Sequence, residues 1–554
     1  MTSPRSRASP MKPLASAFVC ALALAAGAFA ADAPRARPNI LFILADDLGA
    51  GDVKCFNPAG KIATPHLDAL AARGMRFTEA HSSSAVCTPT RYNILTGRYN
   101  WRSKLKSGVL GGFSPRLIEE ERLTVAQFLR SQGYATAAIG KWHLGLEWQR
   151  SAHPALPSTE PAAKKKNAKA KTKAATTAEN DPGNDIDFTK PFGRGPTTLG
   201  FDEFFGISAS LDMPPYTFLQ NDRAAVLPDR VGNFPMKNAH PDAAKVRTGP
   251  IAPGFDTVDV LPKLTERAIN YLGRRAADAR AGRPFFLYLP LNAPHTPLAP
   301  TKAWQGKSGL NDYADFVMET DACIGEILAA LEKNGLADNT LVIVTSDNGC
   351  SPQADFPALA ALGHDPSASR RGYKADIFDG GHRIPLIVRW PGCVKAGTRT
   401  DAFVCLGDFF ATSADLLGQK LPDNAAEDSI SFLPLLLGRP GPAPRDHLVL
   451  HSINGSFGIR QGKWKLELCA DSGGWSFPRP GRDSIEGLPK FQLYDLEKDP
   501  AEKTNVVAQN PEVVQRLGKL MRDTIAHGRS TPGAPQPNAP TTRWPQTAWM
   551  DEFK

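Results

Sequence analysis

Short apolar runs that alternate with amphipathic helical segments are the feature that most constrains how this chain can fold. Helical patterns are predicted at residues 64–74, 124–132 and 313–334. Strand-like runs are predicted at residues 39–44, 135–139, 285–289, 341–345 and 386–389. Apolar strands separated by helices are typical of sheets that are covered on both faces. The sequence therefore predicts an α/β fold in which helices sandwich a large, mostly parallel sheet.

The pattern changes twice along the chain. Residues 151–198 are rich in Ala, Lys, Pro and Thr and have little apolar periodicity, which is typical of a low-complexity surface insertion. After a Pro- and Gly-rich stretch, strands follow one another without helices between them, and one helix comes last. These segments are predicted at residues 448–451, 456–461, 463–468, 491–496 and, for the helix, 511–526. We therefore predict a large domain over residues 31–437, a smaller α+β subdomain on an antiparallel sheet over 438–530, and a loop-like tail over 531–554.

The N-terminus has the pattern of a secretory signal peptide over residues 1–30. Basic residues precede an apolar run at residues 14–29, and a small-x-small cleavage site follows at residues 28–30. The run is short for a membrane span, and no other stretch of the sequence approaches its length. We expect an exported protein, periplasmic or secreted, without stable membrane anchoring.

Charge does not indicate a nucleic-acid partner. The formal net charge is +9, and six lysines crowd between Lys164 and Lys173 within the predicted insertion. Nucleic-acid surfaces interleave such cations with aromatic residues, which this stretch lacks. We therefore predict a solvated segment there.

Polar side chains follow four of the predicted strands. In open parallel sheets, ligands bind beyond the carboxyl ends of the strands. Any one of these polar groups could be an ordinary turn, but four after four separate apolar runs predict a site. The residues concerned are Asp46 and Asp47, Lys141 and His143, His295, and Asp347 with Asn348.

Four of these side chains, Asp46, Asp47, Asp347 and Asn348, would form a cluster of oxygen atoms. Three carboxylates repel one another unless a cation lies between them. Hard oxygen ligands select Ca²⁺ or Mg²⁺ over zinc, and Ca²⁺ tolerates an irregular ligand set better. The sequence therefore predicts a site for one of these two ions, with Ca²⁺ favoured.

One thiol is placed at the start of a short helix. The segment Cys-Thr-Pro-Thr-Arg at residues 87–91 is followed by Leu-Thr-Gly-Arg at residues 95–98, which predicts a helix over residues 89–96. The positive end of this helix, with Arg91, would hold an anion against Cys87. Structural cysteines outnumber reactive ones, so the motif gains weight only together with the four strand ends.

These motifs resemble the signature of the type I, formylglycine-dependent sulfatases of the alkaline-phosphatase-like superfamily. The resemblance implies that Asp46, Asp47, Asp347, Asn348 and residue 87 bind Ca²⁺. It also implies that a formylglycine-generating enzyme oxidises Cys87 to formylglycine, whose hydrated aldehyde is the nucleophile.

The resemblance assigns roles to the basic residues as well. It implies that Arg91, Lys141 and Lys374 neutralise sulfate oxygens, that His295 with Lys374 protonates the departing oxygen, and that His143 is a base. Lys374 departs from the usual Gly-Lys-Gly surroundings, since it lies between Tyr373 and Ala375.

The resemblance extends to the substrate pocket. Ser210 is similar to the serine of the sulfate pocket, with Ser208 as an alternative. Asp212 could accept a hydrogen bond from a sugar hydroxyl.

We therefore expect a sulfuric ester hydrolase that acts on a sulfated small molecule or glycan, with a carbohydrate favoured because the protein is expected to be exported. Two alternatives stay open. One is a phosphomonoester or phosphonate hydrolase of the same superfamily, although the motifs lack the second set of His and Asp ligands that two-zinc chemistry needs. The other is a catalytically silent binder of sulfated glycans in which Cys87 stays unmodified.

Overall fold

The computed structural model of the protein describes Met1 and residues 37–151, 156–157, 181, 183–234, 246–539 and 543–553. Apart from Met1, the proposed signal peptide lies outside the described residues, and so does the lysine-rich stretch of the predicted insertion. No helix in the described ranges combines the length and apolar character needed to cross a lipid bilayer.

The described residues form strands and helices in the following chain order. The strands are β1 Asn39–Ala45, β2 Met75–Phe77, β3 Ala80–His81, β4 Ala135–Lys141, β5 Glu203–Ile207, β6 Leu219–Gln220, β7 Arg223–Ala224, β8 Arg230–Gly232, β9 Gly249–Ile251, β10 Phe285–Pro290, β11 Thr340–Ser346, β12 Leu386–Arg389, β13 Thr398–Thr400, β14 Val404–Cys405, β15 His447–His451, β16 Phe457–Gln461, β17 Trp464–Glu467 and β18 Gln492–Asp495. The helices are α1 Pro65–Ala72, α2 Cys87–Thr96, α3 Val125–Ser131, α4 Val260–Arg280, α5 Asp312–Lys333, α6 Phe356–Ala361, α7 Asp379–His382, α8 Asp408–Leu416, α9 Leu433–Leu436 and α10 Pro511–His527.

A ten-stranded sheet forms the centre of the fold, in the order β13-β2-β12-β11-β1-β10-β4-β5-β6-β7. The strands β11, β1, β10, β4 and β5 are parallel neighbours, while β12 runs antiparallel to both β11 and β2. This arrangement confirms the predicted mostly parallel sheet. The carboxyl ends of these five adjacent strands therefore meet at one edge of the sheet.

Both faces of the sheet are covered by helices. On β1, Leu41 and Ile43 pack on one face in the same apolar cluster as residues of α4 and α5. Ile40 and Phe42 pack on the other face with residues of α2 and α8. Every residue of β1 is buried, which explains why its sequence is almost continuously apolar.

Strands β15 to β18 form a separate antiparallel sheet, as predicted for the C-terminal part of the chain. Helix α10 packs on this sheet through Leu517, Met521 and Ile525. The same apolar cluster includes Trp101 and Phe378, so the core of the small sheet extends into segments of the larger part of the chain.

Two stretches are more closely packed than their sequences indicate. Within the predicted insertion, Ile186, Phe188 and Phe192 are buried. In the predicted tail, Trp549 and Phe553 are buried against the small sheet. These are isolated apolar residues without helical or strand periodicity, which is why pattern analysis assigns both stretches to the surface.

Candidate active site

The structure brings the predicted oxygen cluster together at the edge of the large sheet. Ala45 pairs with Ser346 across β1 and β11, so the residues that follow each strand are neighbours. The backbone N–H of Asp47 donates to Oδ1 of Asp347 at 3.2 Å. The Nδ2 atom of Asn348 donates to Oδ1 of Asp47 at 2.7 Å. Asp46, Asp47, Asp347 and Asn348 therefore form one buried group.

Three cationic side chains contact the carboxylates of this group. Lys141, at the end of β4, places Nζ 2.6 Å from Oδ2 of Asp46. The Nε and NH2 atoms of Arg91 donate to Oδ2 of Asp347 at 3.1 and 2.7 Å. Lys374 donates from Nζ to Oδ2 of Asp47 at 2.8 Å. Each carboxylate thus has a cation in contact with one of its oxygens.

The buried carboxylates of Asp46 and Asp347 lie close enough to influence each other's charge. Burial alone would raise the pKa of Asp46, but Lys141, His295 and Arg91 hold it well below its usual range. Burial, and then the neighbouring Asp46 carboxylate, raise the pKa of Asp347 above its usual range. The two carboxylates therefore repel each other, and a further cation between them would stabilise both charges.

The donor set fits a hard metal ion. Oδ1 of Asp46 and Oδ1 of Asn348 are buried and have no hydrogen-bond partner in the described part of the chain. Asp46, Asp47 and His295 each offer a ligand atom, and these atoms lie within 4.8 Å of one another. Buried oxygens without partners are costly unless a cation binds them. Carboxylate and amide oxygens are ligands of Ca²⁺ or Mg²⁺.

Cys87 is the first residue of α2, so the helix begins two residues earlier than predicted. Proline is tolerated throughout the first helical turn, and Pro89 therefore does not fix the starting residue. The helix ends as predicted before Gly97, which adopts a left-handed φ of 64°. Burial raises the pKa of the Cys87 thiol to about 11, although Lys141 and Lys374 oppose the shift. An unmodified thiol here would be protonated at neutral pH and weakly nucleophilic.

The two ring nitrogens of His143 have different surroundings. Nε2 donates to the carbonyl oxygen of Leu110 at 2.6 Å, and Nδ1 is buried without a hydrogen-bond partner among the residues described. The hydroxyl of Thr88, next to Cys87, donates to the backbone oxygen of His143 at 3.0 Å. Burial, and then the charge of Lys141, lower the pKa of His143 well below its ordinary value. Its ring is therefore neutral, with a lone pair on Nδ1 that can accept a proton.

His295 and Lys374 lie at the opening of the site. Their side chains are 8% and 7% exposed, whereas those of Asp46, Asp47, Asp347, Arg91 and Lys141 are fully buried. Nδ1 of His295 donates to the carbonyl oxygen of Thr296 at 2.6 Å, and Nε2 lies 3.7 Å from Oδ2 of Asp47. Burial, and then Lys374, lower the pKa of His295. These two side chains mark the side of the group that lies nearest to solvent.

A close approach of two glycines supports the segment that carries Lys374. The backbone N–H of Gly349, directly after Asn348, donates to the carbonyl oxygen of Gly381 at 2.9 Å. A Cβ atom on Gly349 would lie 1.9 Å from the carbonyl oxygen of Gly380. Lys374 itself donates from its backbone N–H to the oxygen of Cys350 at 2.9 Å. The segment is therefore fixed directly against the Asp347 and Asn348 loop.

The predicted pocket serines lie on the segment after β5. The carbonyl oxygen of Ser208 accepts a hydrogen bond from the backbone N–H of His143 at 2.9 Å. The hydroxyls of Ser208 and Ser210 are both buried, and neither has a partner in the described ranges. Asp212 accepts from NH1 of Arg247 at 2.9 Å through Oδ2, and its Oδ1 atom is buried without a partner there. Both serines thus remain candidates for the sulfate pocket.

Asn292 and Arg247 are absent from the sequence prediction. Asn292 lies between the end of β10 and His295, and both atoms of its side-chain amide are buried without hydrogen-bond partners in the described chain. The rule that identified His295 also applies to Asn292, since both follow the same strand. No local pattern marks Arg247, which meets Asp212 across 35 positions of sequence.

A second buried group consists of His81, Asp379 and His382, whose ligand atoms lie within 4.8 Å of one another. The sequence motifs do not indicate this group. The two histidine rings are in contact through their Nδ1 atoms at 3.0 Å, and Nζ of Lys465 lies 3.0 Å from Oδ1 of Asp379. A metal ion here would compete with Lys465, so the group does not resemble the second half of a two-zinc site.

The chain is similar to known sulfatases over most of its length. A family model described as Sulfatase matches residues 38–419. The chain is 33% identical to the N-acetylgalactosamine-6-O-sulfatase of Bacteroides thetaiotaomicron, over 88% of this chain and 92% of that protein. It is 32% identical to arylsulfatase A of Homo sapiens, over 90% of this chain and 89% of that protein. A solved structure described under the metabolism of multiple glycosaminoglycans by Bacteroides thetaiotaomicron matches with a TM-score of 0.73 at 32% identity, covering 88% of this chain and 99% of that one.

Proposed function

The chain belongs to the sulfatase family and is a sulfuric ester hydrolase, and we propose that its substrates are sulfated carbohydrates. The relative from Bacteroides thetaiotaomicron is named for 6-O-sulfated N-acetylgalactosamine, which makes this sugar the first substrate to test. We also propose that residues 1–30 direct export of the protein to the periplasm or out of the cell. Export would bring the enzyme to extracellular glycans.

The observation that carries the mechanism is the set of charges around Cys87. Lys141, Lys374, Asp46 and Asp347 all act electrostatically on its thiol. Ca²⁺ held by Asp46, Asp47, Asp347, Asn348 and residue 87 would supply positive charge that polarises a bound sulfate group. Oxidation of Cys87 by a formylglycine-generating enzyme would supply a hydrated aldehyde as the nucleophile. Without this modification the buried thiol would be mostly protonated and weakly nucleophilic.

The remaining roles follow from the positions of the basic side chains. Arg91, Lys141 and Lys374 lie where they can stabilise negative charge on the sulfate oxygens as the S–O bond lengthens. His143 accepts a proton from residue 87 through Nδ1, because Nε2 is occupied by the Leu110 carbonyl. Lys374 stays protonated because its contact with Asp47 raises its pKa despite burial. Lys374 can therefore give a proton to the departing sugar oxygen, and His295 would assist it in the form that also carries a proton on Nε2, because its Nδ1–H is engaged by the Thr296 carbonyl.

A matched pair of substrates tests the proposal. Sulfate and phosphate release would be measured from 6-O-sulfated N-acetylgalactosamine and from the corresponding 6-phosphate, with wild type and Cys87→Ala. We expect sulfate release by wild type only, and a higher kcat/KM for the sulfate than for the phosphate ester. Faster phosphate release would favour a phosphomonoesterase. Binding of the sulfated sugar by both proteins without turnover would favour a silent glycan binder.

A further inference from the structure

Large apolar side chains are exposed on the loop that joins β17 to β18, residues 468–491. Phe477 is 72% exposed and Trp475 is 37% exposed, and Ile485 and Leu488 are exposed on the same loop. Elsewhere in the described chain, large exposed apolar residues other than Met1 occur only at Val226, Leu227 and Leu362. A concentration of exposed apolar residues on one loop is typical of a binding surface.

This loop is anchored beside Lys374. Oδ1 of the buried Asp376 accepts hydrogen bonds from the backbone N–H groups of Trp475 at 2.8 Å and Ser476 at 3.0 Å. The backbone N–H of Ile377 donates to the oxygen of Ser472 at 2.8 Å. A Cβ atom on Gly474 would lie 2.5 Å from the carbonyl oxygen of Ala375. The backbone of Trp475 is therefore fixed directly against the residues that follow Lys374.

The position of the loop matters because Lys374 lies at the mouth of the site. In the proposed function the cations and carboxylates hold the sulfate end of a substrate, so its alcohol part would leave the pocket past Lys374 and His295, whose side chains are 7% and 8% exposed. In a sulfated oligosaccharide, the sugar units beyond the sulfated ring would then extend over the surface next to the loop.

The chemistry of the loop favours sugar rings over a polyanion. Its charges balance, since Asp471, Asp483 and Glu486 are matched in number by Arg479, Arg482 and Lys490. Long-range attraction of a charged partner is therefore weak. Aromatic side chains offer flat apolar faces together with a quadrupole, which suits the C–H faces of a sugar ring.

We propose that Trp475 and Phe477 form a carbohydrate-binding platform at the mouth of the active site, which holds the sugar units next to the sulfated ring. This platform rests on the proposed function, because it needs an oligosaccharide substrate. It is a binding surface for the part of the substrate that does not react.

Variants of the platform test it in the full-length enzyme. We would measure kcat and KM of wild type, Trp475→Ala, Phe477→Ala and the double variant with 6-O-sulfated N-acetylgalactosamine and with a tetrasaccharide that ends in this sugar. We expect the ratio of tetrasaccharide to monosaccharide kcat/KM to fall about tenfold in the double variant, mainly through KM. Trp475→Phe should recover part of the loss. Leu227→Ala, which removes an exposed apolar side chain outside the platform, should keep the wild-type ratio.

The outcomes separate the platform from the proposed function. If wild type hydrolyses neither sugar, the proposed function fails. If it hydrolyses both and the ratio is the same in the double variant, the platform is wrong. Two further results would also overturn it: a dimer in analytical ultracentrifugation that the double variant dissociates, and binding to phosphatidylcholine vesicles that the double variant loses.

Discussion

Nζ of Lys374 lies 2.8 Å from Oδ2 of Asp47, although 327 positions of sequence separate the two residues. Burial on its own would lower the pKa of Lys374, but the Asp47 carboxylate, and then residue 87, raise it above its ordinary value. The contact thus keeps a charged amine at the mouth of the site, where the leaving oxygen of a sulfate ester would lie.

Replacing this lysine should affect the chemical step. We expect Lys374→Ala to lower kcat about 100-fold or more, because a positioned proton donor typically contributes that much. Lys374→Arg should recover little, since a planar guanidinium does not place its donors where the compact ammonium group lies. Steady-state kinetics with 6-O-sulfated N-acetylgalactosamine would measure both effects, with circular dichroism as a check on folding. A near-wild-type kcat for Lys374→Ala would exclude the role proposed for this lysine.

Removal of the metal should abolish turnover. We expect chelator-treated enzyme to lose at least about 100-fold in activity, because the Asp46 and Asp347 carboxylates would face each other without the cation that also polarises the sulfate. Addition of Ca²⁺ should restore activity and raise the Tm, since a ligand that binds only the folded state stabilises it.

A variant of one proposed ligand tests the same site without changing its charge. Asn348→Ala removes an amide oxygen that has no hydrogen-bond partner among the described residues. It should raise the Ca²⁺ concentration needed for half-maximal activity at least about tenfold. Asp278→Asn, at an exposed ion pair on α4, serves as the control and should respond like wild type. Full activity of chelated enzyme would contradict the metal site.

Much of the site follows from one rule about parallel sheets. Asp46, Lys141, His295 and Asp347 were predictable because each follows an apolar run, and the carboxyl ends of neighbouring parallel strands meet at one edge. The rule works because these strands are buried on both faces, which leaves an unmistakable apolar pattern in the sequence.

Other features depend on contacts that leave no local pattern. The position of Lys374 depends on the close packing of Gly349 on Gly380, which only the folded chain shows. The pairing of Arg247 with Asp212 depends likewise on how two distant loops meet. No sequence pattern marks Trp475 and Phe477 as a pair, and their exposure is visible only in the structure.

Stability should fall in acid because several histidines are buried in neutral form. Burial lowers the pKa of His451 from its ordinary value of 6.5 to about 3. The pKa of His451 is therefore lower in the folded than in the unfolded state. Its contribution to the free energy of unfolding is complete above the unfolded-state pKa and decreases as the pH falls below that value. Between pH 7 and pH 5, His451 alone should cost about 2 kcal/mol of unfolding free energy.

Urea denaturation at several pH values measures this effect. His451→Phe removes the titrating ring and keeps an aromatic ring against Phe457, whose centroid lies 5.1 Å from that of His451. We expect the variant to lose about 2 kcal/mol less than wild type between pH 7 and pH 5. The same acid-induced loss in both proteins would contradict a neutral, buried His451.

Peptide mapping of residue 87 in active enzyme shows whether formylglycine is the nucleophile. Preparations that contain different fractions of modified Cys87 would be compared for sulfate release from the same sulfated sugar. We expect turnover to rise in proportion to the fraction of formylglycine and to be absent in Cys87→Ala. Full turnover by protein in which mass spectrometry shows an intact thiol at residue 87 would contradict this expectation.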